Sequence, residues 1–175
     1  KIQQRIGITS VYVTHDQAEA MSLSDKIIIM NKGHIEQVGT PIEIYRHPQT
    51  SFTATFFGHT SVLADYQKYH TFQHMDGVEK AIVRPEFLKI TKKNEVQKYG
   101  SSASQGVVER TSFRGDWIEL EVRVNDDLLI AKRDLEEESV SVGETVDVFL
   151  YRLFVIVGEK CYLLENQSLQ DDSVF

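Results

Sequence analysis

The side chains whose types and spacing could do chemistry lie in one short stretch, at His15, Asp16 and Glu19. An imidazole can donate a hydrogen bond to a phosphate oxygen or hold a water molecule against it. Two carboxylates three residues apart could act as a general acid and base, but the same spacing suits a capping box at a helix start and then needs no substrate. We therefore assign Asp16 and Glu19 to capping, and His15 to candidate chemistry.

Two elements must position His15. Residues 11–14 are apolar, β-branched and aromatic, which predicts a buried strand, and a helix is predicted over residues 16–23 with Asp16 as its N-cap. Ligands bind at the carboxyl ends of strands in open α/β sheets, and helix N-termini attract phosphate. By position alone, a histidine at such a joint is more often structural than functional. The arrangement nevertheless displays His15 where an anion would lie.

Two stretches carry a resemblance to a known family. Residues 13–20 read Val-Thr-His-Asp-Gln-Ala-Glu-Ala, and residues 24–41 read Ser-Asp-Lys-Ile-Ile-Ile-Met-Asn-Lys-Gly-His-Ile-Glu-Gln-Val-Gly-Thr-Pro. Both resemble the switch-histidine region of ABC-transporter ATPases, in the importer group that handles maltose, sulfate, iron or polyamines. The resemblance implies that residues 1–58 are the α/β tail of a P-loop nucleotide-binding domain. It also implies that His15 is a catalytic residue that contacts the γ-phosphate of ATP.

Three motifs that the family carries upstream of this histidine are absent from the 175 residues. There is no G-x-x-x-x-G-K-[S/T] phosphate loop among the ten glycines, no apolar strand ending in Asp-Glu, and no Ser-Gly-Gly signature stretch. The sequence opens at Lys1 in what reads as a helix, so we expect a C-terminal piece of a longer protein. ATP and Mg²⁺ would bind the intact protein, whereas these residues alone should neither bind ATP tightly nor hydrolyse it.

The second part of the chain, residues 59–175, differs from the first in its sequence pattern. Short alternating strands predict a small all-β barrel of the oligonucleotide-binding (OB) type, with the domain boundary at residues 58–61 and a loop over residues 94–105. This part resembles the C-terminal regulatory domain of the same ATPases, including an Arg-Pro strand at Val83-Arg84-Pro85-Glu86. Residues 106–146 look most like the sulfate-importer subset, which favours sulfate, thiosulfate or a similar oxyanion as the solute.

The resemblance also implies partners and a location. A second ATPase subunit would form a homodimer around ATP, transmembrane permease subunits would bind it, and the protein would lie at the cytoplasmic face of the membrane.

Residues 1–58 carry five basic and five acidic side chains, so the net charge of -7 lies in the second part and argues against nucleic acid as a partner. No stretch is long and apolar enough for membrane insertion.

Residues 11–13 and 26–30 are predicted as strands of a parallel sheet, and residues 34–38 are predicted to pair back on the latter across a turn at residues 31–33. Where such strands are left bare, they should be covered by a second copy of the chain or be distorted. A further helix is predicted to start at Thr40 and Pro41, with Glu43 completing a capping box.

An alternative class is a free-standing β-barrel module that binds an oxyanion through Arg84, Arg110 or Arg114 and has no ATPase role. For the three arginines themselves, the default expectation is a solvated rim of the barrel. His70 and His74 have the i, i+4 spacing of metal ligands, but no third ligand is near and we predict no metal site. Aromatic stacking on the barrel would suit nucleic acid only beside a basic groove, which is absent. These aromatics, Phe113, Trp117 and Tyr151, are expected in packing, and the single cysteine, Cys161, in a buried apolar position.

Overall fold

The protein is rich in short β-strands, as seen in a computed structural model that describes residues 7–93, 95 and 102–169. The helices are α1 (Gln17–Leu23), α2 (Pro41–Arg46) and α3 (Ser51–Phe56). The strands are β1 (Ile27–Asn31), β2 (His34–Gly39), β3 (Ser61–Leu63), β4 (Lys80–Val83), β5 (Leu88–Thr91), β6 (Ser104–Phe113), β7 (Trp117–Val124), β8 (Asp127–Asp134), β9 (Thr145–Leu150), β10 (Arg152–Val157) and β11 (Lys160–Glu165).

Strands β1 and β2 form the antiparallel hairpin that the sequence predicts across the turn at residues 31–33. Its turn places Lys32 and Gly33 at φ of 47° and 82°, the left-handed region that a tight hairpin turn requires. Ile27 and Ile29 are buried on one face, whereas the alternate residues of β1 face solvent. Among the described residues β2 is the one strand partner of β1, and β1 has no parallel neighbour there.

The strand predicted over residues 11–14 is not formed in this structure. These residues have no strand structure, and the side chains of Val11 and Val13 are 92% and 91% exposed. A strand needs a neighbour for its backbone N–H and C=O groups, and the described residues supply none here. The distortion that we anticipated for a bare strand is what the structure has at this position.

The second part contains a near-closed barrel of five antiparallel strands in the order β5-β9-β6-β7-β8. The seam between β8 and β5 is bridged by Arg133, which donates from Nη1 to the carbonyl of Ile90 at 2.9 Å and from Nε to the carbonyl of Glu138 at 2.8 Å. Its remaining nitrogen pairs with the Glu95 carboxylate. A small β-barrel, as predicted from the strand spacing, is thus confirmed in outline.

A second sheet, in the order β11-β10-β4-β3, packs beside the barrel. The N-terminal part of the chain also packs on this sheet, because Ala54 of α3 is fully buried in a cluster with Ile82, Phe154 and Ile156. The boundary predicted at residues 58–61 is not tested by this packing and stays a prediction. The helix predicted over residues 1–6 and most of the loop predicted over residues 94–105 lie outside the described residues.

Candidate functional site

His15 lies in a bend immediately before α1, and its side chain is exposed. Asp16 caps the helix as predicted, since its Oδ1 accepts a hydrogen bond from the backbone N–H of Glu19 at 3.0 Å. The reciprocal half of the capping box is replaced: the N–H of Asp16 donates to the Thr14 hydroxyl at 2.9 Å. Glu19 instead accepts from the Tyr12 hydroxyl at 3.1 Å. The carboxylates are therefore engaged in local structure, and the imidazole faces solvent.

An apolar cluster holds α1 in place. Its buried members are Ile27 and Ile29 of β1, Ile44 of α2, and Phe57. Side chains of all three helices pack against these four, namely Ala20, Met21, Tyr45, Phe52 and Phe56. Beside the cluster lies a shallow depression of about 220 Å³, lined by Gln17, Ala18, Met21, Tyr45, Phe57 and Gly58. The lining is apolar and suits packing better than it suits a phosphate.

Of the phosphates of an ATP molecule, the side chains of this chain suit a contact with the terminal one only. An exposed imidazole such as His15 can contact a terminal phosphate oxygen. A phosphate loop that would hold the other phosphates and Mg²⁺ is missing from the sequence. Within the described part of the chain, no three His, Cys, Asp or Glu side chains converge as a metal site would require.

The predicted anion-binding arginines are already occupied. Arg84 is 1% exposed, and it donates to the carbonyl oxygens of Tyr45 and Ala54 at 2.5 and 3.1 Å. Burial lowers the pKa of its guanidinium. Arg110 pairs with Glu121 at 2.8 Å, and Arg114 pairs with Glu119. The expectation of a solvated barrel rim is wrong for Arg84, because the strand before it runs into the interior and carries the side chain with it.

The two histidines with metal-ligand spacing are not on a helix. Residues 69–77 form turns, and the ring nitrogens of His74 are hydrogen-bonded to Gln67 at 2.9 Å and to Asp76 at 3.0 Å. Cys161 is half-buried, and burial raises the pKa of its thiol to about 11, which keeps it protonated and unreactive.

Sequence reasoning missed three buried polar arrangements. Glu119 is 3% exposed and binds His59 at 2.9 Å as well as Arg114. Asp127, also 3% exposed, accepts from the backbone N–H of Ala64 at 2.6 Å and from the Tyr69 hydroxyl at 2.9 Å. The contacts of Arg84 form the third. Every one of these partners is distant along the chain except Arg114, so periodicity gave no signal for them.

Comparison with known proteins adds two findings. Residues 81–150 match the TOBE domain family. The chain is 40% identical over 152 residues to the spermidine/putrescine import ATP-binding protein PotA of Bacillus thuringiensis (strain Al Hakam), covering 84% of this chain and 42% of the relative. The PotA protein of Borreliella afzelii (strain PKo) is 37% identical over 164 residues, covering 86% and 45%, and that of Clostridium novyi (strain NT) is 34% identical over 165 residues, with the same coverage.

The chain spans less than half the length of the curated relatives it matches. These relatives are named for the import of spermidine and putrescine, so a special closeness to sulfate importers is not supported. Within the described residues, no helix is long and apolar enough to cross a membrane. Residues 81–150 thus match the TOBE domain family, in a chain that over most of its length is similar to spermidine/putrescine import ATP-binding proteins.

Proposed function

We propose that this chain serves in the ATP-binding subunit of an ABC importer that takes up a polyamine, driven by ATP binding and hydrolysis. The observation that carries the proposal is the 40% identity over 152 residues to a spermidine/putrescine import ATP-binding protein. That similarity covers 84% of the chain, and so extends well beyond the TOBE domain. It replaces the sulfate-type oxyanion expected from residues 106–146 with a polyamine such as spermidine or putrescine.

Within this function, His15 contacts the γ-phosphate of ATP. Its exposed position before α1 supports the role, because the ring is accessible from solvent. An imidazole there can donate to a phosphate oxygen or hold the attacking water, and positioning is most of what phosphoryl transfer requires. ATP supplies the phosphoanhydride bond, and Mg²⁺ neutralises charge on its phosphates.

The same proposal includes partners and location. Two ATP-binding subunits close around ATP, transmembrane permease subunits dock on them, and the assembly lies at the cytoplasmic face of the membrane. The TOBE domain has the regulatory or dimerisation role. The proposal on partners rests on the similarity to import ATP-binding proteins.

Uptake of labelled solutes tests the proposal in the organism that encodes the protein. We expect His15→Ala to abolish uptake of spermidine and putrescine, and to leave sulfate uptake unchanged. The matched control is His34→Ala, since His34 is another exposed histidine, at the start of β2 and across the hairpin turn from β1. Loss of sulfate uptake with intact polyamine uptake would refute the assignment of the solute. Normal polyamine uptake with His15→Ala would refute the assignment of the histidine.

A second expectation concerns these 175 residues in isolation. Because they contain no phosphate loop, ATP turnover in the presence of Mg²⁺ should not rise above background, whether or not His15 is replaced by Ala. Phosphate release by the purified chain measures this. Turnover that depends on His15 would show that the motif is dispensable and would contradict our assignment of roles.

The alternative, a free-standing oxyanion module, draws no support from the arginines. Arg84 has carbonyl partners, and Arg110 and Arg114 have carboxylate partners. An oxyanion would have to displace these. Calorimetry with sulfate, molybdate and phosphate should therefore detect no binding to the chain, whereas micromolar affinity would favour the module.

A further inference from the structure

One buried cation joins the TOBE domain to the helices beside the candidate site. Arg84 directly follows β4, and its two terminal nitrogens reach backbone carbonyls on two different helices, at Tyr45 in α2 and Ala54 in α3. Hydrogen bonds from a charged donor are about twice as strong as neutral ones, and a planar guanidinium can serve two acceptors at once. Arg84 thereby fixes α2 and α3 to the C-terminal end of β4.

Aromatic rings complete the hold on this side chain. The guanidinium carbon lies 4.1 Å from the centroid of the Tyr45 ring and 5.0 Å from that of Phe154 in β10, both within the range of cation–π attraction. The Tyr45 hydroxyl donates to the Glu86 carboxylate at 2.5 Å. Tyr45 is thus held at three points. Arg84 binds its carbonyl oxygen and contacts its ring, and Glu86 binds its hydroxyl.

Tyr45 in turn contacts the environment of α1. It packs against the same apolar cluster as Ala20 and Met21, and it lines the same depression as Met21. A further contact joins α1 to the segment that follows α3, since the N–H of Gly58 donates to the Gln17 side chain at 3.4 Å. None of the residues of α1 is itself buried, so the helix depends on these contacts for its placement. His15 precedes α1 by two residues.

We propose that Arg84 is a positioning residue for His15, acting through Tyr45 and α1, so that the TOBE domain sets the position of the histidine. This inference rests on the proposed function of His15. A conservative change at Arg84 should then alter α1 and His15 while the barrel stays intact. A role confined to holding α2 and α3 would leave α1 unaffected.

The three methionines make a direct readout possible. Met21 lies on α1, Met30 is 58% exposed on the hairpin, and Met75 packs against the barrel core. In methyl-labelled protein without nucleotide, Arg84→Lys should shift the Met21 methyl signal and the His15 ring signals, and leave Met75 in place. Lysine keeps the charge but cannot reach two divergent carbonyls. The matched control is Arg152→Lys, since Arg152 of β10 is exposed and paired with Glu165.

If Arg84→Lys disrupts the second sheet, the Met75 signal moves as well. The variant Tyr45→Phe then tests the link without disrupting the sheet, because it removes only the hydroxyl group that binds Glu86. Movement of Met21 and His15 with Met75 fixed supports the proposal, and unchanged Met21 and His15 signals in a folded variant overturn it. In cells, Arg84→Lys should lower polyamine uptake about tenfold or more, as expected for a displaced reacting group, and Arg152→Lys should not. Because the spectra need no nucleotide, normal uptake with His15→Ala would defeat the proposed function and leave the structural link standing.

Discussion

At the scale of single residues, buried charged groups do the work of joining distant parts of the chain. Glu119 of β7 is 3% exposed and binds both His59 and Arg114. Burial by itself would raise the pKa of its carboxyl group, but the hydrogen bonds from Arg114 and His59 outweigh it and lower the pKa. The carboxylate form is therefore the one that the fold stabilises.

Replacing this carboxylate should make the chain less stable in a pH-dependent way. We expect Glu119→Gln to lower the free energy of unfolding by about 1–3 kcal/mol at neutral pH, the range for a buried charged hydrogen-bond partner. Since the folded-state pKa is depressed, the native carboxylate contributes fully above about pH 4.5, its ordinary value, and loses this contribution as the pH falls through the folded pKa. Urea unfolding followed by Trp117 fluorescence between pH 3 and 8 measures the difference.

The control for this variant is Glu121→Gln. Glu121 also faces an arginine on the barrel, Arg110, but that arginine is 59% exposed and the pair should contribute less than about 1 kcal/mol. An equal loss of stability in both variants, or a loss at Glu119 that does not fade in acid, would contradict the role given to the buried carboxylate.

Local residue roles could be predicted from the sequence, and distant ones could not. Asp16 was predicted as a cap because its partner is three residues away. Arg84 was predicted at an exposed rim because its acceptors lie 30 and 39 residues distant, where no spacing rule applies. The apolar run before it, Ala81 to Val83, was the one available signal of a buried position.

At the scale of elements, α2 has the best-specified start in the chain. Thr40 accepts from the backbone N–H of Glu43 at 3.3 Å, and the Glu43 carboxylate accepts from the N–H of Thr40 at 2.8 Å. Pro41 occupies the first position. We expect Thr40→Ala to lower the free energy of unfolding by about 1 kcal/mol, and Thr40→Ser to retain it.

The measurement is urea unfolding of these two variants beside Thr9→Ala, whose threonine is exposed and outside regular structure. A cost at Thr40→Ala no larger than at Thr9→Ala would mean that packing of Ile44, and not the cap, sets the start of α2. The capping box, the hairpin turn and the barrel strands were all predictable, because each depends on residues a few positions apart. The strand over residues 11–14 was not, because a strand also depends on neighbours that composition does not reveal.

At the scale of the whole molecule, the two parts of the chain differ in how well they cover their apolar surface. The barrel buries the apolar side chains of its core, whereas the hairpin β1–β2 buries one face only. On its other face, the cross-strand pairs Ile28–Val38 and Met30–Ile35 place four large apolar side chains together, between 52% and 61% exposed. A contiguous apolar face of this kind on a protein surface marks an interface or promotes association.

The purified chain should consequently self-associate through this face. We expect sedimentation to show association that increases with concentration, and the double variant Ile28→Lys, Val38→Glu to reduce it, because the pair places opposite charges directly across from each other without touching the buried face. The control is Val62→Lys, since Val62 is 49% exposed on β3, away from the hairpin. A wild-type chain that stays monomeric at high concentration would show that the face needs no cover. Association that survives the double variant but not the control would place the interface on β3, in the second part of the chain.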